Sequence, residues 1–147
     1  MRDIRHIVIH CTATSQRTTV NQILKSFKAR GWKNPGYHYI VPPNGRYVIT
    51  LADDHVANGV KGHNADSIHV AYIGGIDENG RPVDNRTDLQ RLALRRIVTM
   101  LRALHPKAMV CGHRDLSPDL NGDGRIEPWE YVKACPCFDA VKEYSTI

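Results

Sequence analysis

The 147-residue chain carries 20 Lys and Arg against 15 Asp and Glu, a formal net charge of +5, and 41% of its residues are hydrophobic. That length suits one compact domain, able to bury about 68–70% of the surface its unfolded chain exposes and to form a core without disulfide staples. No apolar run approaches the roughly 20 residues of a membrane helix, and the opening MRDIRHIVIH lacks the hydrophobic segment of a signal peptide. The expectation is a soluble protein synthesised in the cytoplasm, without membrane insertion. The basic balance favours anionic partners. The cations are scattered, however (Lys61, Arg95, Arg96, Arg102, Lys133, Lys142), without the clustered stripe of a nucleic-acid binder, so no nucleic acid is expected and a polyanionic cell wall suits the charge equally well.

In chain order, Ile4 to Ile9 is short, apolar and β-branched, which predicts a buried strand with His10 at its end. Val20, Ile23, Leu24 and Phe27 recur at helical spacing, with Thr18 or Thr19 as cap and Gly31 as stop. Tyr37 to Val41 and Tyr47 to Leu51 flank the Pro42-Pro43-Asn44-Gly45 turn cluster, the pattern of a hairpin. Ser67 to Ile73 reads as a strand closed by Gly74 and Gly75. Thr87 with Gln90 forms a capping box opening a helix whose apolar face is drawn through Leu89, Leu92, Ala93, Ile97, Leu101 and Leu104, and Pro106 ends it. Ala108 to Cys111 is a short strand, followed by a long polar connection and a last helical stretch after Asp139. This alternation predicts an α/β fold over 1–147: a single domain with a mixed central β-sheet flanked by helices, its site at strand ends.

Four cysteines raise the question of disulfides or metal. Cys11 and Cys111 fall in strand-like stretches, and Cys135 and Cys137 flank Pro136 too closely for an ordinary mutual disulfide. His10 after IVI, His113 in VCGHRD and Cys135 in KACPCFD are candidate ligands that only folding could assemble. Two imidazoles and a thiolate leave tetrahedral zinc one open position, the arrangement of catalytic zinc. A competing arrangement is a closed structural site of Cys111, His113, Cys135 and Cys137 that omits His10. Taken singly, each histidine is more simply a satisfied structural residue, and spacing leaves these readings open.

The segments IVIHCTAT, GWKNPGYHYIVPPNGRYV, NADSIHVAYIGGID, GHRD and KACPCFD, spread over nearly the whole chain, resemble the zinc-dependent N-acetylmuramoyl-L-alanine amidases related to phage lysozyme-type amidases and peptidoglycan recognition proteins. The resemblance implies that His10, His113 and Cys135 hold Zn²⁺, choosing Cys135 over Cys137, and that Tyr37 and Lys133 are catalytic. The chemistry accommodates both: residues i and i+2 of an extended segment face one way, an ammonium can stabilise an oxyanion, and a phenol can orient water or substrate. Without the resemblance, Tyr37 reads as a half-buried strand aromatic and Lys133 as a solvated surface cation. The implied activity is hydrolysis of the amide joining N-acetylmuramic acid to L-alanine, with peptidoglycan or muropeptides as substrate. The alternative is a binding module of the same fold that does not cleave. Regulation of a protein partner, a role attributed to some phage relatives, has no identifiable partner in this sequence. The implied site of action is the cell wall after release, or cytosolic muropeptides. No HExxH motif supplies a glutamate base.

The chain departs from the resemblance in the cleft segment HVANGVKGHNADSIHV. Gly59 stands where relatives often carry histidine, and His69 stands in a strand where they commonly have glycine. His63 and Asn64 are candidate substrate-binding residues there, against the simpler reading of an ordinary polar loop, and no catalytic role is assigned to His69. Residues 119–130, DLNGDGRIEPWE, satisfy D-x-[DN]-x-[DN]-G-x5-E. Asp119, Asn121, Asp123, the Arg125 carbonyl and Glu130 are therefore candidate Ca²⁺ ligands, with Gly124 at the sharp turn. Pro118 argues against the entering helix of a full EF-hand, and a metal-free acidic surface insertion is the simpler reading. Bound calcium would stiffen the connection between His113 and Cys135.

Overall fold

The computed structural model describes residues 2–147. Its elements are β1 (His6–Cys11), α1 (Val20–Ala29), β2 (Tyr39–Val41), β3 (Val48–Ile49), β4 (Ser67–Tyr72), α2 (Asp88–Leu104), β5 (Met109–Gly112) and α3 (Ala140–Glu143), with short 3-10 turns at His113–Leu116 and Pro128–Glu130. The five strands form one sheet in the order β3-β2-β4-β1-β5. Only β3 runs antiparallel to its neighbour. The expected mixed α/β single domain is what forms.

β1 lies inside the sheet, between β4 and β5, with both faces covered, which is why its sequence is a near-continuous apolar run. Alternation along the strands splits the sheet into two faces. Ile7, Ile9 and Cys11 join Val70, Tyr72 and the buried side of α2 in the main core. Facing the opposite way, Val8 packs with Val60 and Cys111, while Ile40 and Ile73 pack with Ile23 and Phe27 of α1. His10 belongs to this second face. The strand runs on through His10 to Cys11 rather than ending before it, because β4 continues to pair alongside as far as Tyr72.

The longer helix α2 begins at the expected capping box of Thr87 with Gln90, and α1 is capped by Thr19, one of its two candidate caps, in a second capping box with Gln22. The buried face of α2 is rotated from the expected one: it comprises Gln90, Ala93, Leu94, Ile97, Val98 and Leu101. Leu89, Leu92 and Leu104 are exposed. Gln90 sets this phase, because its amide Nε2 donates to the carbonyls of Val41 and Ile73, each at 3.0 Å, satisfying the ends of β2 and of the β4 segment.

Two arginines fasten the periphery. Arg2 donates to the backbone carbonyls of Asp53, His55, Asn64, Ala65 and Ser67 and so gathers the loop that walls the cleft. The buried guanidinium of Arg86 pairs with Asp84 and Glu143 and lies 3.3 Å from the Phe138 ring centroid, joining α3 to the loop before α2.

Candidate metal centre

His10 projects from the second face of β1, and His113 follows directly on β5, the next strand, so both imidazoles stand near the carboxyl ends of parallel strands. Cys135 arrives on the late connection, which is held against the sheet by Arg114 N–H to the Cys135 carbonyl (2.9 Å) and the Tyr72 hydroxyl to the Pro136 carbonyl (2.7 Å). Gly112 permits this approach, since a Cβ there would lie 2.6 Å from Pro136 Cδ. One ligand atom from each of His10, His113 and Cys135 lies within 4.8 Å of the other two. Cys135 Sγ is 3.8 Å from His10 Nδ1. Zn–S and Zn–N bonds at tetrahedral angles separate sulfur from nitrogen by about 3.6 Å, so the set fits a single zinc ion with little adjustment.

The ligand set lies at one end of a cavity of about 430 Å³ that Tyr37 and Lys133 also line. The Tyr37 ring is 5.1 Å from that of His10, and its hydroxyl donates to the Cys11 carbonyl at 3.4 Å. Lys133 is exposed at the rim. An adjoining cavity of about 670 Å³ is lined by His63 and Asn64 together with Gly59, Lys61 and Lys133. Asn64 Oδ1 is already engaged by the Val60 N–H at 2.8 Å, a contact that shapes the wall.

Electrostatics keep the donors ready for metal. Burial, followed by the proximity of His69, His113 and Lys133, holds the His10 pKa well below 6.5. Burial and Lys133 push His113 down to about 4. Both imidazoles are thus neutral at neutral pH, with lone pairs available. The Cys11 backbone N–H donates to Cys135 Sγ at 3.2 Å and so fixes where the sulfur sits beside His10. Burial raises the Tyr37 pKa above its ordinary 10, so the phenol stays protonated and can donate.

The competing four-ligand site is not assembled among the described residues. Cys111 is buried against Val8 and Val60, its thiol pushed up to about 12 chiefly by burial. Cys137 lies 3.9 Å from Cys11 Sγ and donates to the Gly75 carbonyl. All four cysteines are free.

Farther along, the carboxylates of Asp119, Asp123 and Glu130 also lie within 4.8 Å of one another. Asn121 Oδ1 accepts from the Asp123 N–H and Arg125 N–H donates to Asp123 Oδ1, while buried Glu130 accepts from Leu120 and Glu127 N–H groups. The last three residues of the loop, Pro128–Glu130, form a 3-10 turn. His69, to which the sequence reading gave no role, stands against the metal centre: its Nδ1 is 2.8 Å from His10 Nε2. The reciprocal departure at Gly59 and His69 was the signal that could have marked it.

A family model described as N-acetylmuramoyl-L-alanine amidase matches residues 1–136. The chain belongs to this family. It is 35% identical to the endolysin of Enterobacteria phage K11 over 133 residues, covering 89% of this chain and 79% of the endolysin. This amidase-family fold superposes on the Ph2119 endolysin of a Thermus scotoductus MAT2119 bacteriophage with a TM-score of 0.71 and 25% identity, covering 92% of this chain and 79% of that one. It also matches the fold of a peptidoglycan recognition protein complex, PGRP-LCa with PGRP-LCx, solved bound to tracheal cytotoxin, with a TM-score of 0.71, 22% identity and coverage of 99% and 83%. Family and fold are therefore those expected from the sequence motifs. No helix among the described residues is long and apolar enough to cross a membrane.

Proposed function

We propose that the protein is a zinc-dependent amidase that hydrolyses the bond between the lactyl group of N-acetylmuramic acid and L-alanine in peptidoglycan or its muropeptide fragments. The observation that carries this reading is the convergence of His10, His113 and Cys135 on one cavity that Tyr37 and Lys133 also line. His10, His113 and Cys135 would hold the zinc, which when bound would supply Lewis acidity toward the scissile carbonyl and make hydroxide available near neutral pH. The Lys133 ammonium stabilises negative charge developing on the carbonyl oxygen. The Tyr37 phenol orients the attacking water or the substrate amide by donating its proton in a hydrogen bond. His63 and Asn64, on the wall of the adjoining cavity, contact the sugar-peptide beyond the scissile bond. The site of action is the cell wall after release, or muropeptides in the cytosol.

Mass spectrometry of purified sacculi incubated with the protein, with and without a zinc chelator, tests the reading. Free L-alanine amino termini without new reducing sugar ends are expected, abolished by chelation and restored by zinc. Binding to sacculi without any cleavage would replace the enzyme reading with that of a muropeptide-binding module. New reducing ends would mean a glycosidase.

The 119–130 loop is proposed to hold Ca²⁺ through Asp119, Asn121, Asp123, the Arg125 carbonyl and Glu130, supported by the loop signature and by the gathering of its three carboxylates. Ordering this segment would fix His113 relative to Cys135. Calorimetric titration of the zinc-loaded protein, with calcium removed beforehand, is expected to show binding in the millimolar range or tighter. Its absence removes the proposal.

A further inference from the structure

We propose that His69 is the positioning residue for zinc ligand His10, fixing the tautomer in which His10 offers Nδ1 to the metal, and that Gly59 is glycine to make room for it. The inference rests on the zinc reading above. His10 Nδ1 faces Cys135 Sγ at 3.8 Å and must carry a free lone pair to bind metal. A neutral imidazole then bears its single proton on Nε2, and that N–H points at His69 Nδ1, 2.8 Å away. Both side chains are buried, His10 at 1% and His69 at 0% exposure, so solvent offers no competing partner to select the tautomer. His69 accepts through Nδ1 and therefore carries its own proton on Nε2.

The backbone that carries the accepting ring is itself held, while the ring's Nε2 meets no partner among the described residues. The His69 backbone N–H donates to His38 Nδ1 at 3.0 Å, and the His38 N–H donates to the His69 carbonyl at 2.9 Å. With Nδ1 accepting, His38 is protonated on Nε2, which donates to the His55 carbonyl at 2.8 Å. On the cleft side the ring lies against Gly59, where an added Cβ would be 2.3 Å from His69 Nδ1 and 2.4 Å from its Cγ. A side chain at position 59 and this ring cannot share that volume. The two departures in the cleft segment are thus one arrangement: glycine at 59 allows an imidazole to reach His10 from the adjacent strand β4.

A hydrogen-bonded partner on the far nitrogen of a metal-bound imidazole typically contributes about 10–100-fold to metal affinity. Zinc affinity is measured by competition with a chromophoric chelator, and folding by the circular dichroism of each metal-free variant. His69→Ala is expected to weaken zinc binding by that factor while retaining the fold, and His69→Gln, whose Oε1 can accept from His10 Nε2–H, to recover most of it. Gly59→Ala is expected to weaken binding by displacing the ring and to have little further effect when combined with His69→Ala. Nitrogen-15 spectra of the wild-type protein provide a readout that needs no variant to fold: His10 is expected to show a protonated Nε2 and a bare Nδ1 before zinc is added. Wild-type zinc affinity in folded His69→Ala, or Nδ1 protonation of His10 in the metal-free protein, would overturn the inference. Failure of the wild type to bind zinc would overturn the zinc reading as well.

Discussion

Replacing Arg86 by Met removes the charge while keeping much of the side-chain volume, and the structure gives the scale of the expected effect. The guanidinium is 1% exposed and makes charge-assisted hydrogen bonds to Asp84 (2.9 and 3.0 Å) and Glu143 (2.7 and 2.9 Å). Breaking a buried pair costs about 3–5 kcal/mol when the surviving charge has no access to water. Here the carboxylates keep 24% and 34% of their side-chain surface and retain Arg91, 3.4 Å from Asp84 and 4.0 Å from Glu143, so solvent and that second cation screen them and the expected loss is smaller, about 2–3 kcal/mol. Urea denaturation at pH 7 should show this as a lowered midpoint at unchanged slope. The pH dependence supplies a second check. Arg86 holds Glu143 below its ordinary value, and it also lowers Asp84 despite burial that pulls the other way. With folded pKa values depressed, the stabilisation is present above the unfolded carboxylate range and is lost as pH falls through the folded values. Wild-type stability should therefore drop more steeply than that of Arg86→Met below about pH 4. A loss under about 0.5 kcal/mol, the range of ordinary surface substitutions, or parallel acid limbs in the two proteins would refute the reasoning.

Cys135→Ser should abolish stoichiometric zinc, measured by elemental analysis after dialysis, and lower the release of L-alanine termini from sacculi at least about 100-fold with the fold intact. Lys133→Ala should retain zinc and lower kcat/KM by about 10²–10³, the scale of one lost oxyanion donor; equal loss of zinc would mean it supports the ligand instead. In the metal-free protein, burial depresses His113 to about 4 and His69 to about 3, so the folded state binds fewer protons than the unfolded one below pH 6.5. Urea midpoints should consequently fall as pH is lowered from 6.5 toward 4, and midpoints independent of pH across that window would contradict the neutral buried histidines.

The parts of the fold legible in the sequence are those fixed by local rules. Thr87 with Gln90 announces α2 because a capping box is satisfied within a single turn, whereas the choice between Thr18 and Thr19 for α1 waited on the Gln22 side chain reaching back to the Thr19 N–H. Apolar spacing alone points to a different face of α2, because the burial of Gln90 depends on the Val41 and Ile73 carbonyls, which only the assembled sheet presents. The ligand set could be chosen by resemblance, yet spacing alone could not bring His10, His113 and Cys135 together, since their meeting depends on β1 pairing with β5 and on Tyr72 gripping the Pro136 carbonyl. For His69 the paired departure with Gly59 could mark the residue but not its contact with His10. Its neighbour on the adjacent strand is set by the β1–β4 register, to which no local pattern points.

The grip of Arg2 on carbonyls of residues 53, 55, 64, 65 and 67 makes the start of the chain a tether for the wall of the larger cavity. Shortening the amino end by a few residues, a change usually treated as harmless trimming, would slacken one bank of the groove far from the cut.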